Sequence, residues 1–131
     1  MSYIFYNPNT VSPYAGDCVV RAIAKYFGWD WQRAYLEICL HGAMLWDMPR
    51  DNRVWSNFLE TRGLIRHHIP YFCTVKEFCD EHPIRCILSI DVGYTSATSG
   101  PIRGNHVVCA IDGNYYDAWD SGDEVPLDYW A

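Results

Sequence analysis

Apolar side chains recur at helical spacing through the first half of the chain. In residues 18–27 they form one stripe, with Val19 and Ile23 four positions apart, behind Asp17 and ahead of Gly28. An aspartate that can cap the first turn and a glycine that can end the last one are common helix boundaries. The pattern therefore predicts a first helix over residues 18–27.

Three further helices are predicted by the same combination of apolar spacing and end signals. A proline or glycine follows each of them, at Pro49, Gly63 and Pro83. The expected ranges are Trp31 to about Leu45 behind Asp30, Asp51 or Asn52 to Thr61, and Thr74 to about Glu81 with Thr74 and Glu77 as a capping box.

The second half of the chain has the β-branched content and the turn signals of strands. Ile84 to Val92 is typical of a central strand, and residues 105–117 predict a hairpin that turns at Asp112-Gly113. Residues 94–104, rich in Gly, Ser, Thr and Pro, are expected to form a loop. The remaining expectations are a short strand or extended link over 65–72, a last short strand within 121–131, and an ordered arm or loop over 3–15.

This order of elements predicts an α+β protein in which a helical half precedes three or four antiparallel strands. The 131 residues fit one domain, 1–131, and because 50% of them are hydrophobic a disordered tail is excluded. The net charge of −6 argues against general nucleic-acid binding, which needs a basic face to displace counterions. No apolar run approaches the roughly 18 residues that span a membrane, so no membrane partner is expected.

The six cysteines are expected to be reduced thiols. The start of the chain lacks the basic and apolar regions of a signal peptide, which predicts a cytoplasmic protein in a reducing compartment. No two cysteines have the Cys-x-x-Cys spacing that usually marks a zinc site. Cys39, Cys79, Cys86 and Cys109 lie in apolar runs, where cysteine behaves as a small buried hydrophobic residue.

Cys18 stands apart from the other five. It follows Gly16-Asp17 and a polar loop, and it opens the first predicted helix. Unpaired backbone N–H groups and the helix dipole favour an anion at that point, so the thiol loses its proton more easily and becomes a nucleophile. The alternative interpretation is a cysteine that is simply buried at the start of a helix.

His106 and Asp117 are the residues that could activate such a thiol. A two-residue hairpin turn pairs Ile111 with Asn114, and side chains alternate between the faces of a strand. Asp117 then shares the face of His106 as its diagonal neighbour, within side-chain reach, whereas Asp120 falls on the opposite face. Asp117 is therefore the preferred partner of the imidazole, although a bulge in the second strand would favour Asp120.

A donor for a developing oxyanion is also required in this chemistry. The backbone N–H of Cys18 is one candidate, and an upstream side-chain amide, Asn7 or Asn9, is the second. Ser12 and Tyr14 are weaker alternatives. All four side chains could equally serve as turn residues in a proline-containing arm.

The arrangement of Cys18 on an early helix, His106 opening a late strand and Asp117 on the next strand resembles the papain-like cysteine peptidases. The resemblance implies a papain-like fold with the site between the helical half and the sheet. It also implies hydrolysis of an amide or isopeptide bond in a peptide or protein. In that reaction Cys18 attacks, His106 transfers the proton and Asp117 orients the imidazole, with no metal or organic cofactor.

A narrower resemblance covers three segments of the chain. Residues 7–9, Gly16-Asp17-Cys18 and residues 116–120 are similar to small uncharacterised proteins of bacterial and phage genomes. Two features depart from the papain-like pattern. Ser12 stands where an upstream glutamine is usual, and the eleven-residue spacing from His106 to Asp117 is short.

Two other functions fit the same residues. Cysteine-dependent acyltransferases such as transglutaminases and arylamine acetyltransferases resemble the triad order, although they are usually larger. A peptidase-like binding module without turnover would instead use exposed aromatic side chains as anchors. The candidates for such anchors are Trp46, Trp55, Trp119, Trp130 and Tyr94.

Overall fold

The computed structural model describes residues 2–92 and 105–131, which contain four helices and one six-stranded sheet. The helices are α1 (Cys18–Phe27), α2 (Trp31–Leu45), α3 (Asn52–Thr61) and α4 (Val75–Glu81). The strands are β1 (Tyr3–Phe5), β2 (Arg66–His68), β3 (Cys86–Asp91), β4 (His106–Ile111), β5 (Asn114–Asp117) and β6 (Val125–Trp130). The loop predicted over residues 94–104, with Tyr94, lies outside the described residues.

The sheet is mixed, in the strand order β1-β5-β4-β3-β6-β2. Every neighbouring pair is antiparallel except β1, which runs parallel to β5. The prediction of three or four antiparallel strands after a helical half was therefore wrong in strand number, in the direction of β1 and in the position of β1 before the helices. Strand β1 has only three residues, too few for alternating polar and apolar side chains to reveal a strand. It also pairs with a distant segment, since the partner of Tyr3 is Tyr115.

The helix boundaries follow local side-chain capping. Asp30 accepts from the N–H of Arg33 at 2.7 Å, and the Thr74 hydroxyl and Glu77 carboxylate cap each other's backbone N–H groups. Asp17 is the exception, because its carboxylate makes no cap bond to α1. The capping role predicted for Asp17 is therefore wrong, and its carboxylate is used elsewhere.

The β4–β5 hairpin has the predicted register. Ile111 pairs with Asn114 and Ala110 pairs with Tyr115 across a two-residue turn. Asp112 and Gly113 both have positive φ, at 54° and 86°, as a type I′ turn requires. The hairpin thus contains no bulge that would move Asp117 to the other face.

Apolar side chains cover both faces of the sheet. Helices α1, α2 and α3 pack against one face, where the rings of Trp55 and Trp130 meet edge to face at 4.8 Å. Helix α4 packs against the other face around Phe78 and Tyr115. Trp55 and Trp130 are therefore core residues, and their predicted use as surface anchors is wrong. Within residues 2–92 and 105–131, no helix is both long and apolar enough to cross a bilayer.

Candidate active site

A broad cleft of about 1180 Å³ opens where the start of α1 meets the beginning of β4. Cys18, the first residue of α1, is half-buried in its wall. His106, the first residue of β4, lines the same cleft. The other residues around these two include Phe5, Asn7, Tyr14, Asp17, Arg21, Met48, Arg50, Asn105 and Trp119.

His106 and Asp117 form a short buried hydrogen bond. The Nε2 atom of His106 lies 2.6 Å from Oδ2 of Asp117, and the two side chains are 9% and 1% exposed. The diagonal contact expected from hairpin parity is therefore present. Asp120 instead accepts a hydrogen bond from the Tyr115 hydroxyl at 2.7 Å.

His106 also acts on the thiol of Cys18, with which it shares the cleft. Burial alone would raise the pKa of Cys18. The hydrogen bond and charge of His106, the backbone of Val107 and the charge of Arg21 outweigh burial and hold the pKa below its usual value. Burial lowers the pKa of His106, but its bonds to Asp117 and Cys18 raise it to about 9. Both shifts act in the direction that favours a thiolate–imidazolium pair.

The carboxylate of Asp117 accepts four hydrogen bonds. Its Oδ2 accepts from His106 and from the Ser121 hydroxyl at 2.8 Å, and its Oδ1 accepts from the N–H of Ala118 at 2.8 Å and from Arg21 at 3.2 Å. Burial would raise the pKa of this carboxyl, but the bonds from His106, Ser121 and Ala118 lower it below the usual range. Asp117 therefore remains charged and fixed in orientation.

Three neighbours of the triad were missed by sequence reasoning. Ser121 is fully buried, and Arg21 is buried beside both Asp17 and Asp117. The indole of Trp119 lies over the imidazole of His106, with ring centroids 5.0 Å apart. The spacing of Asp17 and Arg21 by four residues was visible as a helical ion pair, but nothing local indicated their link to a distant strand.

The two asparagines proposed as oxyanion donors lie in different places. Asn7 lines the cleft, and its Nδ2 donates to the carbonyl of Pro13 at 2.9 Å, which leaves the second N–H of the amide. Asn9 is buried in the turn, where its Oδ1 accepts from the N–H of Ser12 at 2.8 Å. Asn9 is not among the described residues that line the cleft, so of the two asparagines only Asn7 shares the cleft with Cys18.

All six cysteines are free thiols, and four of them are inert by environment. Burial raises the pKa of Cys73 to about 11 and those of Cys79 and Cys109 to about 12. Burial also raises the pKa of Cys86 well above its ordinary value. Cys39 is half-buried rather than buried as predicted, because its position on α2 is only partly covered.

A second histidine–carboxylate pair was also missed. His68 faces Asp128 directly across the β2–β6 pairing, with Nδ1 3.2 Å from Oδ1. Regular spacing along the chain could not show this contact because the two residues belong to different strands.

No group of three or more His, Cys, Asp or Glu side chains within residues 2–92 and 105–131 is arranged to hold a metal ion. Cys18 and His106 instead meet at the cleft, where His106 is hydrogen-bonded to Asp117 and lowers the pKa of the Cys18 thiol. Such an arrangement can generate a nucleophile and transfer its proton. Comparisons of the sequence with protein-family models and curated proteins, and of the structure with solved structures, find no match.

Proposed function

We propose that this protein is a papain-like cysteine hydrolase that cleaves an amide or isopeptide bond in a peptide or protein. The observation that carries the proposal is the buried His106–Asp117 pair, whose histidine lines an open cleft together with the half-buried thiol of Cys18. A cleft of about 1180 Å³ is large enough for a segment of polypeptide.

In the first half of the reaction, the sulfur of Cys18 attacks the carbonyl carbon of the scissile amide. His106 carries the proton taken from the thiol and donates it to the leaving nitrogen. An amine then departs, and the acyl group remains bound to Cys18 as a thioester. Asp117 keeps the imidazole oriented and stabilises its positive charge. In the second half, His106 takes a proton from water, whose oxygen attacks the thioester and releases a carboxylic acid and the free thiol.

The tetrahedral oxygen of each half-reaction needs donors in a fixed position. The backbone N–H of Cys18, in the first turn of α1, has no acceptor within that turn of the helix. The second donor is the amide of Asn7, which also lines the cleft. A preformed donor pair of this kind contributes on the order of 10²-fold or more to the rate of acyl transfer.

The first test is the pH dependence of alkylation, measured by mass spectrometry from pH 5 to 9. Cys39 is an internal control because it is also half-buried but lies on α2. At pH 6 we expect Cys18 to react at least tenfold faster than Cys39, since only a thiolate reacts rapidly. Equal rates for the two thiols would contradict the proposal.

Turnover is tested with a fluorogenic peptide-amide library and the Cys18→Ser variant. The native protein is expected to release the fluorophore and to show a transient acyl adduct on Cys18, whereas the variant does neither. A native protein that releases the fluorophore only when an amine is added, with the peptide acyl group recovered on that amine, would identify acyl transfer instead.

A binding module without turnover is the second candidate. It is favoured by Trp46, whose side chain is 95% exposed at the end of α2. The two functions separate in the alkylation experiment, because a binding module requires no advantage of Cys18 over Cys39.

A further inference from the structure

Arg21 is a buried cation that contacts two carboxylates. It lies one turn after Asp17 on α1 and is 7% exposed. Its Nη1 donates to Oδ1 of Asp17, and its Nη2 donates to Oδ1 of Asp117 at 3.2 Å. One guanidinium therefore connects the beginning of the helix that carries Cys18 to the end of the strand that carries Asp117.

Asp17 is itself held from a second side. The indole N–H of Trp31, at the start of α2, donates to Oδ2 of Asp17 at 2.7 Å. Because each oxygen of this carboxylate has its own donor, the side chain of Asp17 is fixed, and Arg21 is directed across to β5. This use of the carboxylate explains why Asp17 does not cap α1.

The contacts form a closed ring around the site. From Asp17 the series passes through Arg21 and Asp117 to His106, whose charge acts on Cys18, the residue joined to Asp17 by a peptide bond. With the thiol ionised, the charges alternate in sign from Asp17 to Cys18, and the peptide bond that closes the ring joins two anionic residues. A displacement of any one group therefore disturbs the position of both its neighbours.

We infer that Arg21 is a positioning residue, whose two-pronged contact with Asp17 and Asp117 sets the thiol of Cys18 against the imidazole of His106. This inference rests on the proposed function. Arginine suits the task because its planar guanidinium presents several N–H groups in a fixed fork, whereas a lysine ammonium is a single point charge.

The deciding variant is Arg21→Lys, which keeps the positive charge and removes the fork. A lysine cannot hold both carboxylates in the same geometry, so Asp117 and the start of α1 lose their common anchor. We expect the labelling rate of Cys18 at pH 6 to fall about tenfold and the midpoint of its pH profile to rise by about one unit. A residue that only supports the fold would change unfolding without moving this profile.

Arg62→Lys is the matched control. Arg62 also joins two elements through an ion pair, to Glu37 at 2.9 Å, but neither residue is among those that line the cleft of Cys18. Its replacement is expected to leave the pH profile of Cys18 unchanged. Urea unfolding of all variants establishes which of them are folded under the labelling conditions.

Asp17→Asn provides a second reading if Arg21→Lys does not fold. The asparagine keeps the shape of the side chain but removes its charge, so Arg21 is held less firmly. We expect a shift of the Cys18 profile in the same direction, by about half as much. An unchanged profile in the folded variant would overturn the inference.

The outcomes for the two proposals differ. If native Cys18 has no advantage over Cys39, the proposed function fails and the inference fails with it. If native Cys18 is reactive and folded Arg21→Lys keeps the same pH profile, the inference alone is overturned.

Discussion

The sheet holds two histidine–carboxylate pairs, and they differ in almost every respect except residue type. The pair of His106 and Asp117 joins at 2.6 Å, and its histidine side chain is 9% exposed. The pair of His68 and Asp128 joins at 3.2 Å, and its histidine side chain is 58% exposed. Water can therefore compete for His68 but is largely excluded from His106.

The surroundings of the two carboxylates increase this difference. Asp117 is anchored by a buried arginine, a buried serine and a backbone N–H. Asp128 has one further charged neighbour, Arg66, at 3.2 Å, and that arginine side chain is 35% exposed. Burial and fixed neighbours thus shield the His106–Asp117 pair from the solvent screening that weakens the His68–Asp128 pair.

The largest difference is expected from replacing each histidine. We predict that His106→Ala lowers the labelling rate of Cys18 at pH 6 about a hundredfold, because an ordinary thiol of pKa near 8.5 is only roughly 0.3% ionised there. His68→Ala is the matched control and should leave the rate within about twofold of native. An equal loss in both variants would mean that the labelling reports fold integrity and not the imidazole.

Replacing the aspartate of each pair by asparagine should lower the stability of the protein by different amounts. Asp117→Asn leaves buried Arg21 and His106 without their anion, and we expect the free energy of unfolding to fall by about 3 kcal/mol. Asp128→Asn releases two side chains that solvent already reaches, and we expect a loss of about 1 kcal/mol. Urea unfolding at pH 7 measures both, and a larger loss at Asp128 would contradict this account.

The stability contributed by His106 should depend on pH. Its folded pKa of about 9 exceeds the unfolded value near 6.5, so the contribution is complete below pH 6.5 and is lost as pH rises through 9. The test compares two proteins that both carry Cys18→Ser, which removes the neighbouring thiol; one keeps His106 and the other carries His106→Gln. We expect the difference between their free energies of unfolding to shrink by about 2 kcal/mol between pH 6 and pH 9. A difference that grows with pH would show that the imidazole is held neutral.

The smallest effect is expected at Ser121. Ser121→Ala removes one of the four donors to Asp117, and we predict a loss of about 1 kcal/mol in unfolding free energy. Labelling of Cys18 should slow about threefold. Ser56→Ala is a matched control, because Ser56 is also buried but donates to the carbonyl of Arg53 on α3. It should reduce stability similarly without slowing the labelling.

The features that sequence reasoning predicted are governed by local interactions. The ends of α2 and α4 depend on side chains within three residues of their caps, and the hairpin register depends on a two-residue turn. That register was sufficient to prefer Asp117 over Asp120, because alternation along a strand is itself a local rule.

The features that were missed depend on contacts between distant segments. Strand β1 exists through its pairing with β5, and Arg21 meets a carboxylate 96 positions later in the chain. The contact between His68 and Asp128 likewise depends on which strands become neighbours. At Asp17 the local prediction failed for the same reason. Its carboxylate accepts hydrogen bonds from the indole of Trp31 and from buried Arg21, and so it does not cap α1.

The pairing of β1 with β5 has a consequence for the order in which the protein is made. Tyr3 donates its hydroxyl to the carbonyl of Asp117, across 114 positions of sequence. During synthesis Cys18 leaves the ribosome long before Asp117, and the large loop between them must close before the triad can assemble. Until β5 has been made and has folded against α1, Cys18 therefore lacks the His106–Asp117 pair that lowers the pKa of its thiol.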